Sequence, residues 1–310
     1  MACQFQVLLN AGRPTDGGDA AIAALDRVEW LEQTLSVYLP DSELSRLNAT
    51  AYREAMVVSN DVLELIKIGM DVYRRTEGAF DITAASLSEA WGFARRQGSM
   101  PTAHQIQDAL CKVGSQYLTL DEHAKTLRYE RNGLKVNSGG IGKGFALDRA
   151  HEILRQREVG NYLIHGGQSS VLAVGDRYEI HSQSGWRISL KHPEQPRIRL
   201  GDLNLHDIAV GTSGPANQFF YYNGVRYGHI IDPRTGWPAQ GMLSITVLNP
   251  SAAYADALAT GLYVMGIDAA IHYCETHTDT GMIAILPTRR SGSVEVVTCN
   301  LGRQEWTQAI

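Results

Sequence analysis

The sequence predicts an α+β fold, in which helices pack against a largely antiparallel sheet. Apolar strands and amphipathic helices are interspersed without the strict strand–helix alternation of a parallel sheet. Residues 118–130 alternate apolar and polar side chains on both sides of a polar turn, as a β-hairpin does. Residues 186–250 contain several short apolar segments separated by glycine and proline turns. These three observations together favour strands that pair with their sequence neighbours.

The sequence of the first 75 residues predicts one strand and two helices. Residues 3–9 form an apolar strand that ends in a glycine-rich turn. A helix is predicted over Asp19–Tyr38, because its apolar residues recur at steps of three and four until Pro40 stops it. Residues 40–50 are polar and turn-prone. A second helix is predicted from Ser59 to Arg75, since serine suits an N-cap and a cation suits a helix C-terminus.

The middle and the end of the chain continue the mixed pattern. Residues 78–93 are rich in small side chains and predict a loop that packs closely on a neighbour. Thr102 and Gln105 form a capping-box pattern for a helix to about Val113. The other predicted elements, besides the short strands and turns of residues 186–238, are a glycine turn, a helix and a strand within residues 135–175, a strand at 243–250, a helix at 252–266, and strands at 282–287 and 294–299.

Composition limits the classes of function. The chain has 310 residues, 44% of them hydrophobic and 20% charged, and it has no linker-like stretch, so one domain over residues 1–310 is expected. The net charge of -5 and the absence of a lysine–arginine run argue against a nucleic-acid partner. The four cysteines show neither a zinc spacing nor a disulfide framework. No signal peptide or membrane-spanning stretch is visible. We therefore expect a cytoplasmic protein, or a periplasmic one if the native start lies upstream.

Two glycine turns flank the helix predicted within residues 135–175, at Gly139–Gly144 and at Gly166-Gly167. The first is not a P-loop, because Asn137 stands where that motif needs a glycine and Gly144 where it needs serine or threonine. It also lacks the spacing of the dinucleotide fingerprint. Small residues at a helix start can hold an anion such as a phosphate, and they also suit a tight strand-to-helix turn without a ligand. The spacing alone leaves both interpretations open.

Asp256 and Thr260 lie four residues apart on the predicted helix 252–266 and therefore share one face. A carboxylate and a hydroxyl offer oxygen ligands, which Mg²⁺ prefers, and Mg²⁺ takes few ligands from a protein. The alternative is a buried aspartate that only accepts hydrogen bonds. His229 precedes an Asp-Pro-Arg-Thr-Gly turn, at the end of a strand, where functional side chains are common. A lone histidine is also compatible with a structural role.

Taken together, these segments resemble the ApbE family, the FAD:protein FMN transferases. The resemblance covers nearly the whole chain. It rests on five segments in the family's order: D-S-E-L-S-R-L-N at 41–48, G-A-F-D at 78–81, G-G-I-G-K-G at 139–144, H-I-I-D-P-R-T-G at 229–236 and A-D-A-L-A-T at 255–260.

The resemblance implies a T-fold-like α+β fold and an enzyme that moves FMN from FAD onto a Thr or Ser hydroxyl of a target protein, releasing AMP with the help of Mg²⁺. It also implies roles for residues of this chain. Asp256 and Thr260 would ligate Mg²⁺ by side chain, and the carbonyls of Gly140 and Ala259 would complete the protein ligands. His229 would accept the hydroxyl proton. The residues that fall where the family contacts FAD are Met1, Tyr38, Ala79, Phe80, Asp81, Asn137, Lys143 and Ile230.

The chain departs from the family pattern at two acidic positions. Asn137 stands where the family usually has the aspartate of D-L-G-G, and Gln168 stands where it has the aspartate of G-G-D. An amide keeps hydrogen-bonding capacity and loses a charge, so recognition of FAD could be retuned. Two other functions stay open on these grounds: binding of FAD without turnover, and Mg²⁺-dependent hydrolysis of FAD to FMN and AMP. The chain lacks an S-G-A-T acceptor sequence of its own, so the acceptor is expected to be another protein.

Overall fold

The computed structural model describes residues 3–10, 16–177, 185–290, 292–302 and 304–309. Met1 lies outside these residues. Over this part of the chain the α-helices are α1 (Asp16–Leu35), α2 (Glu43–Thr50), α3 (Asn60–Arg75), α4 (Ala85–Ala90), α5 (Ala103–Leu110), α6 (Gly142–Gln156), α7 (Ala252–Met265) and α8 (Ile267–Thr276). None of the helices in the described ranges is long and apolar enough to span a bilayer.

A seven-stranded sheet forms the centre of the molecule, and every neighbouring pair in it is antiparallel. Its strands are, in spatial order, β1 (Phe5–Leu9), β5 (Tyr162–Gly166), β6 (Ser170–Val174), β9 (Ile208–Ser213), β12 (Ser244–Asn249), β13 (Gly281–Pro287) and β14 (Val294–Cys299). This arrangement agrees with the largely antiparallel sheet that the sequence predicts.

Three smaller sheets surround it. Their strands are β2 (Met56–Val57), β4 (Thr126–Tyr129) and β3 (Leu118–Asp121) in the first, β7 (Trp186–Lys191), β8 (Arg199–Leu205) and β15 (Trp306–Gln308) in the second, and β10 (Phe219–Tyr222) with β11 (Val225–Gly228) in the third. The pair β3–β4 is the hairpin expected at residues 118–130. The pair β10–β11 is a separate hairpin beside the candidate site.

The two faces of the central sheet pack against different partners. Side chains alternate along β5, so Tyr162 and Ile164 enter the core under the helices while Leu163 points to the other face. The core on the helical face includes the apolar sides of α1, α3, α6 and α7. On the opposite face, Leu163 belongs to a second core with Trp186 and Leu203 of the β7–β8–β15 sheet. The candidate site therefore lies on the helical side, where α6 and α7 meet the sheet.

Two segments expected to be irregular contain helices. Residues 43–50 form α2, because Ser42 caps its N-terminus and Leu44 and Leu47 are buried. Residues 85–90 form α4 within the predicted loop 78–93, and this helix places Leu87 in a small third core with Trp91 and Phe93. The sequence reading also missed α8, which follows α7 directly after Gly266. In each case tertiary burial stabilises a helix whose local pattern is weak.

Candidate functional site

A cleft of about 800 Å³ opens on the helical side of the sheet. Its walls come from the segment after α1, the residues before, in and after α4, the glycine turn before α6, the turn between β5 and β6, the end of β9, the two ends of the β10–β11 hairpin, the residues that follow it, and α7. Met1 is outside the described residues, and of the other site residues proposed from the sequence all but Ala259 line this cleft. These lining residues are Tyr38, Ala79, Phe80, Asp81, Asn137, Gly140, Lys143, His229, Ile230, Asp256 and Thr260.

Close packing of α6 on α7 brings the glycine turn to Asp256. A Cβ atom on Gly144 would lie 1.9 Å from the carbonyl oxygen of Ala252, so no larger residue fits between the two helices. The carboxylate of Asp148, on α6, accepts hydrogen bonds from Ser251 Oγ (2.7 Å) and from the N–H groups of Ala252 (2.8 Å) and Ala253 (3.0 Å). Asp148 therefore caps the start of α7 from a neighbouring helix.

The pKa of Asp148 is raised by burial, and the hydrogen bonds from Ser251 and the start of α7 oppose that rise. The sequence reading did not select Asp148. No local sequence pattern predicts the role of Asp148, because its partners lie more than a hundred residues further along the chain.

Asp256 is a buried carboxylate with several donors around it. The ammonium of Lys143 lies 3.2 and 3.3 Å from its two oxygens, Gly144 N–H donates to Oδ2 (3.1 Å) and Ser170 Oγ donates to Oδ1 (3.2 Å). Only 3% of the residue is exposed. The ion pair and the hydrogen bonds compensate the cost of burying this charge.

Thr260 lies one helical turn from Asp256 and also faces the cleft. Its Oγ1 is 3.0 Å from Ser213 Oγ at the end of β9. A Cβ atom on Gly140 would lie 3.5 Å from Thr260 Oγ1, so the backbone of the glycine turn passes close to the threonine hydroxyl. Ser213 is a cleft residue that the sequence reading did not propose; the packing of α7 on β9 brings it to Thr260.

The donors around Asp256 fit a hard cation with few protein ligands. A carboxylate, a hydroxyl and the backbone of Gly140 are all oxygen donors, and they border a cleft with room for water and phosphate oxygens. The described residues contain no group of three or more His, Cys, Asp or Glu side chains that could hold a metal. This donor chemistry suits Mg²⁺ better than zinc. Ala259 is fully buried beside Thr260 and could contribute only its carbonyl.

His229 lies between β11 and the turn that follows it, half-buried against Phe93. Its Nδ1 is 3.2 Å from the carbonyl oxygen of Gln218. Because a carbonyl oxygen can only accept, Nδ1 carries the hydrogen of the neutral ring and Nε2 keeps the lone pair. Burial lowers the pKa of His229, the hydrogen bond to Gln218 opposes this, and the charge of Lys143 lowers the pKa further. The ring is therefore suited to accept a proton at Nε2 near neutral pH.

The proposed FAD contacts differ in what they present to the cleft. Tyr38 lies at the rim with 73% of its surface exposed, whereas Phe80 and Ile230 are buried in the wall. The carboxylate of Asp81 is held inside the protein, where it accepts bonds from Thr83 and from Ser115. Asp81 therefore orders the loop that carries Ala79 and Phe80.

The two departures from the family pattern lie in different surroundings. Asn137 lines the cleft, and its Oδ1 accepts the N–H of Gly139 at 2.8 Å. This assigns the oxygen to the turn and leaves the Nδ2 hydrogens as donors, where an aspartate would present a second charged oxygen. Gln168 is exposed and does not line the cleft, whereas its neighbour Ser169 does. The substitution at Asn137 is thus the one that changes the chemistry of the cleft.

The sequence and the structure of this chain match known proteins of one family. The sequence model of the ApbE family matches residues 1–286. A curated FAD:protein FMN transferase of Vibrio cholerae is 33% identical over 258 residues, covering 82% of this chain and 75% of that protein. The corresponding transferase of Haemophilus influenzae is 34% identical over 249 residues, covering 78% and 71%. The solved structure of a flavin transferase ApbE from Vibrio cholerae superposes with a TM-score of 0.84 at 28% identity, covering 96% of this chain and 94% of that one. These matches confirm the α+β fold class and the resemblance found in the sequence.

Proposed function

Because this chain belongs to the ApbE family, we propose that it transfers FMN from FAD to a Thr or Ser hydroxyl of another protein, with Mg²⁺, and releases AMP. One observation carries the proposal: a proton acceptor at His229, a carboxylate–hydroxyl pair at Asp256 and Thr260, and the Lys143 ammonium all face one cleft. These are the groups that displacement at a phosphorus atom requires.

The groups in the cleft, together with FAD and the acceptor, account for each bond that forms or breaks and for the proton. The acceptor hydroxyl oxygen attacks the flavin-side phosphorus of FAD and forms a new P–O bond, and its proton passes to Nε2 of His229. The bond between that phosphorus and the bridging oxygen breaks, and the electron pair leaves with AMP. Mg²⁺, when bound, supplies positive charge to the phosphate oxygens. Asp256 and Thr260 would hold it by side chain, with the carbonyls of Gly140 and Ala259.

The Lys143 ammonium contributes a second positive charge beside the same carboxylate. Two cations next to Asp256 repel each other, and the diphosphate of FAD carries the negative charge that offsets both. We therefore propose that the metal and FAD support each other's binding. The Nδ2 hydrogens of Asn137, which have no acceptor among the described residues, would donate to an oxygen of FAD, a contact that a carboxylate at this position could not make.

The direct test is incubation of the protein with FAD, Mg²⁺ and a synthetic peptide that contains S-G-A-T. We expect AMP in solution and FMN covalently attached to the peptide, measured by chromatography and by mass analysis. FMN and AMP formed equally with and without peptide would assign the protein as an FAD hydrolase. Tight binding of FAD that stays intact after long incubation would assign it as a flavin-binding protein.

The pH dependence tests the role of His229. A general base must be neutral, so kcat/KM should rise with pH through the pKa of His229 and reach a plateau above it. Burial lowers that pKa from its ordinary value of 6.5. Full activity should therefore persist at a pH at which an exposed histidine would already be protonated. The His229→Gln variant should lose about two orders of magnitude in kcat. In this variant kcat/KM should no longer fall at acidic pH. If it still falls over the same pH range, another group is responsible for the titration.

A further inference from the structure

The hairpin β10–β11 stands at the mouth of the cleft and is continuous with it. Gln218 precedes β10, His229 follows β11, and both line the cleft together with Phe219. The two strands are joined by Asn223 and Gly224, whose φ angles of 49° and 77° fit a two-residue type I′ turn. One end of the hairpin therefore carries the candidate base, and the other end projects away from it.

The hydrogen-bond pattern leaves one edge of β10 unpaired. The N–H of His229 donates to the carbonyl of Gln218 at 3.1 Å, while the N–H of Gln218 donates to Pro215, so this pair makes one of the two bonds of a hydrogen-bonded position. The two-residue turn sets the same alternation, because Tyr222 and Val225 flank it as a hydrogen-bonded pair. Pairs alternate in an antiparallel ladder, so the backbone groups of Phe219 and Tyr221 point away from β11. Among the described residues, no hydrogen bond outside this ladder reaches the backbone of either residue.

One face of the hairpin packs against the protein, and the other face is exposed. On its inner face, Phe220 stacks on Tyr227, with ring centroids 5.6 Å apart, and both pack on Trp91. On its outer face, Phe219 and Tyr221 meet edge to face at 5.7 Å and are 40% and 66% exposed. The guanidinium of Arg226 lies over the ring of Phe219 and pairs with Glu194. The outer face is therefore aromatic, and its one cation already has a partner.

We propose that the acceptor protein docks here, by adding the segment that carries its target hydroxyl as a strand along the free edge of β10. This inference rests on the proposed function. The backbone of Phe219 and Tyr221 would pair with that segment, and their rings would cover its apolar or small side chains. Because Phe219 and His229 both line the cleft, a strand on this edge leads the hydroxyl toward Nε2 of His229. The opposite edge is less suited, since Gly228 is buried under Pro215.

Tyr221→Pro tests this surface without touching the cleft. Proline removes the outward N–H of residue 221 and no bond of the hairpin ladder, and edge strands tolerate it. We expect the KM for the S-G-A-T peptide to rise about tenfold, while the Kd for FAD changes by less than about twofold. Tyr222→Ala is the matched control, because Tyr222 is an exposed aromatic residue of the same strand whose backbone bonds point into the hairpin.

Amide hydrogen exchange gives a readout that does not need turnover. With the peptide at saturation, the amides of Phe219 and Tyr221 should be protected by about tenfold or more. Protection without AMP release would support the docking surface and refute the proposed transfer. The docking surface is refuted if the peptide binds and leaves both amides unprotected, if it fails to bind at about 1 mM, or if Tyr221→Pro and Tyr222→Ala change KM equally. Concentration-dependent dimerisation that Tyr221→Pro abolishes would assign the edge to a second copy of this chain and refute the proposal.

Discussion

Replacing Asp256 with asparagine is expected to lower the Mg²⁺-dependent release of AMP from FAD by about a thousandfold. The amide keeps the shape of the carboxylate and can still accept the N–H of Gly144, so the fold should persist. It removes the only negative charge in the set of donors proposed for the metal, and it leaves the Lys143 ammonium without its partner. Both effects weaken the attraction for a divalent cation.

Three measurements check this expectation: initial rates of AMP release against Mg²⁺ concentration, the Kd for Mg²⁺ by calorimetry in the presence of FAD, and thermal unfolding. Asp202→Asn is the matched control, since Asp202 is a buried carboxylate that pairs with Arg199 outside the cleft. It should change the rate by less than about twofold. If Asp256→Asn keeps the Mg²⁺ affinity and the rate of the parent protein, the metal does not bind at Asp256.

Local periodicity was sufficient to identify the pair on α7. Asp256 and Thr260 share a face because residues four apart on any helix do so, and the structure has a helix there. The contacts of these two residues could not be predicted in the same way. Ser170 reaches Asp256 and Ser213 reaches Thr260 because β6 and β9 lie side by side in the central sheet and α7 packs on both strands. That proximity depends on topology.

The difference between local periodicity and tertiary contact also explains why the sequence did not predict some helices. The helix α2 has only Leu44 and Leu47 as buried anchors, and two apolar residues among polar ones do not distinguish a short helix from a turn. In the loop before α4, Asp81 resembles a ligand-binding carboxylate in the sequence. The structure places Asp81 in the cleft wall and adds partners that the motif does not show, Thr83 and Ser115, of which Ser115 lies 34 positions away. Four of the five motif segments therefore line the cleft, and tertiary contacts bring the other lining residues to them.

Replacing Gly144 with alanine is expected to destabilise the protein by about 3 kcal/mol or more. The added Cβ would lie 1.9 Å from the carbonyl oxygen of Ala252, 2.5 Å from its carbonyl carbon and 2.9 Å from the Cα of Ala253. All three are backbone atoms, so no side chain can rotate to make room, and α6 must move away from α7. The helix propensity that alanine gains over glycine, about 1 kcal/mol, is too small to offset this overlap.

Denaturant unfolding checks the size of the effect, with Gly18→Ala as the control. Gly18 lies in the first turn of α1, and a Cβ there would meet no atom of the described residues within 4 Å beyond its own helix, so the same substitution should be neutral or slightly stabilising. A free energy of unfolding for Gly144→Ala within about 1 kcal/mol of the parent value would contradict the prediction. Movement of α6 would also separate Lys143 and the N–H of Gly144 from Asp256. Whatever folded Gly144→Ala protein remains should therefore bind Mg²⁺ and FAD more weakly than the parent, because the glycine that lets the helices touch also places the charges of the cleft.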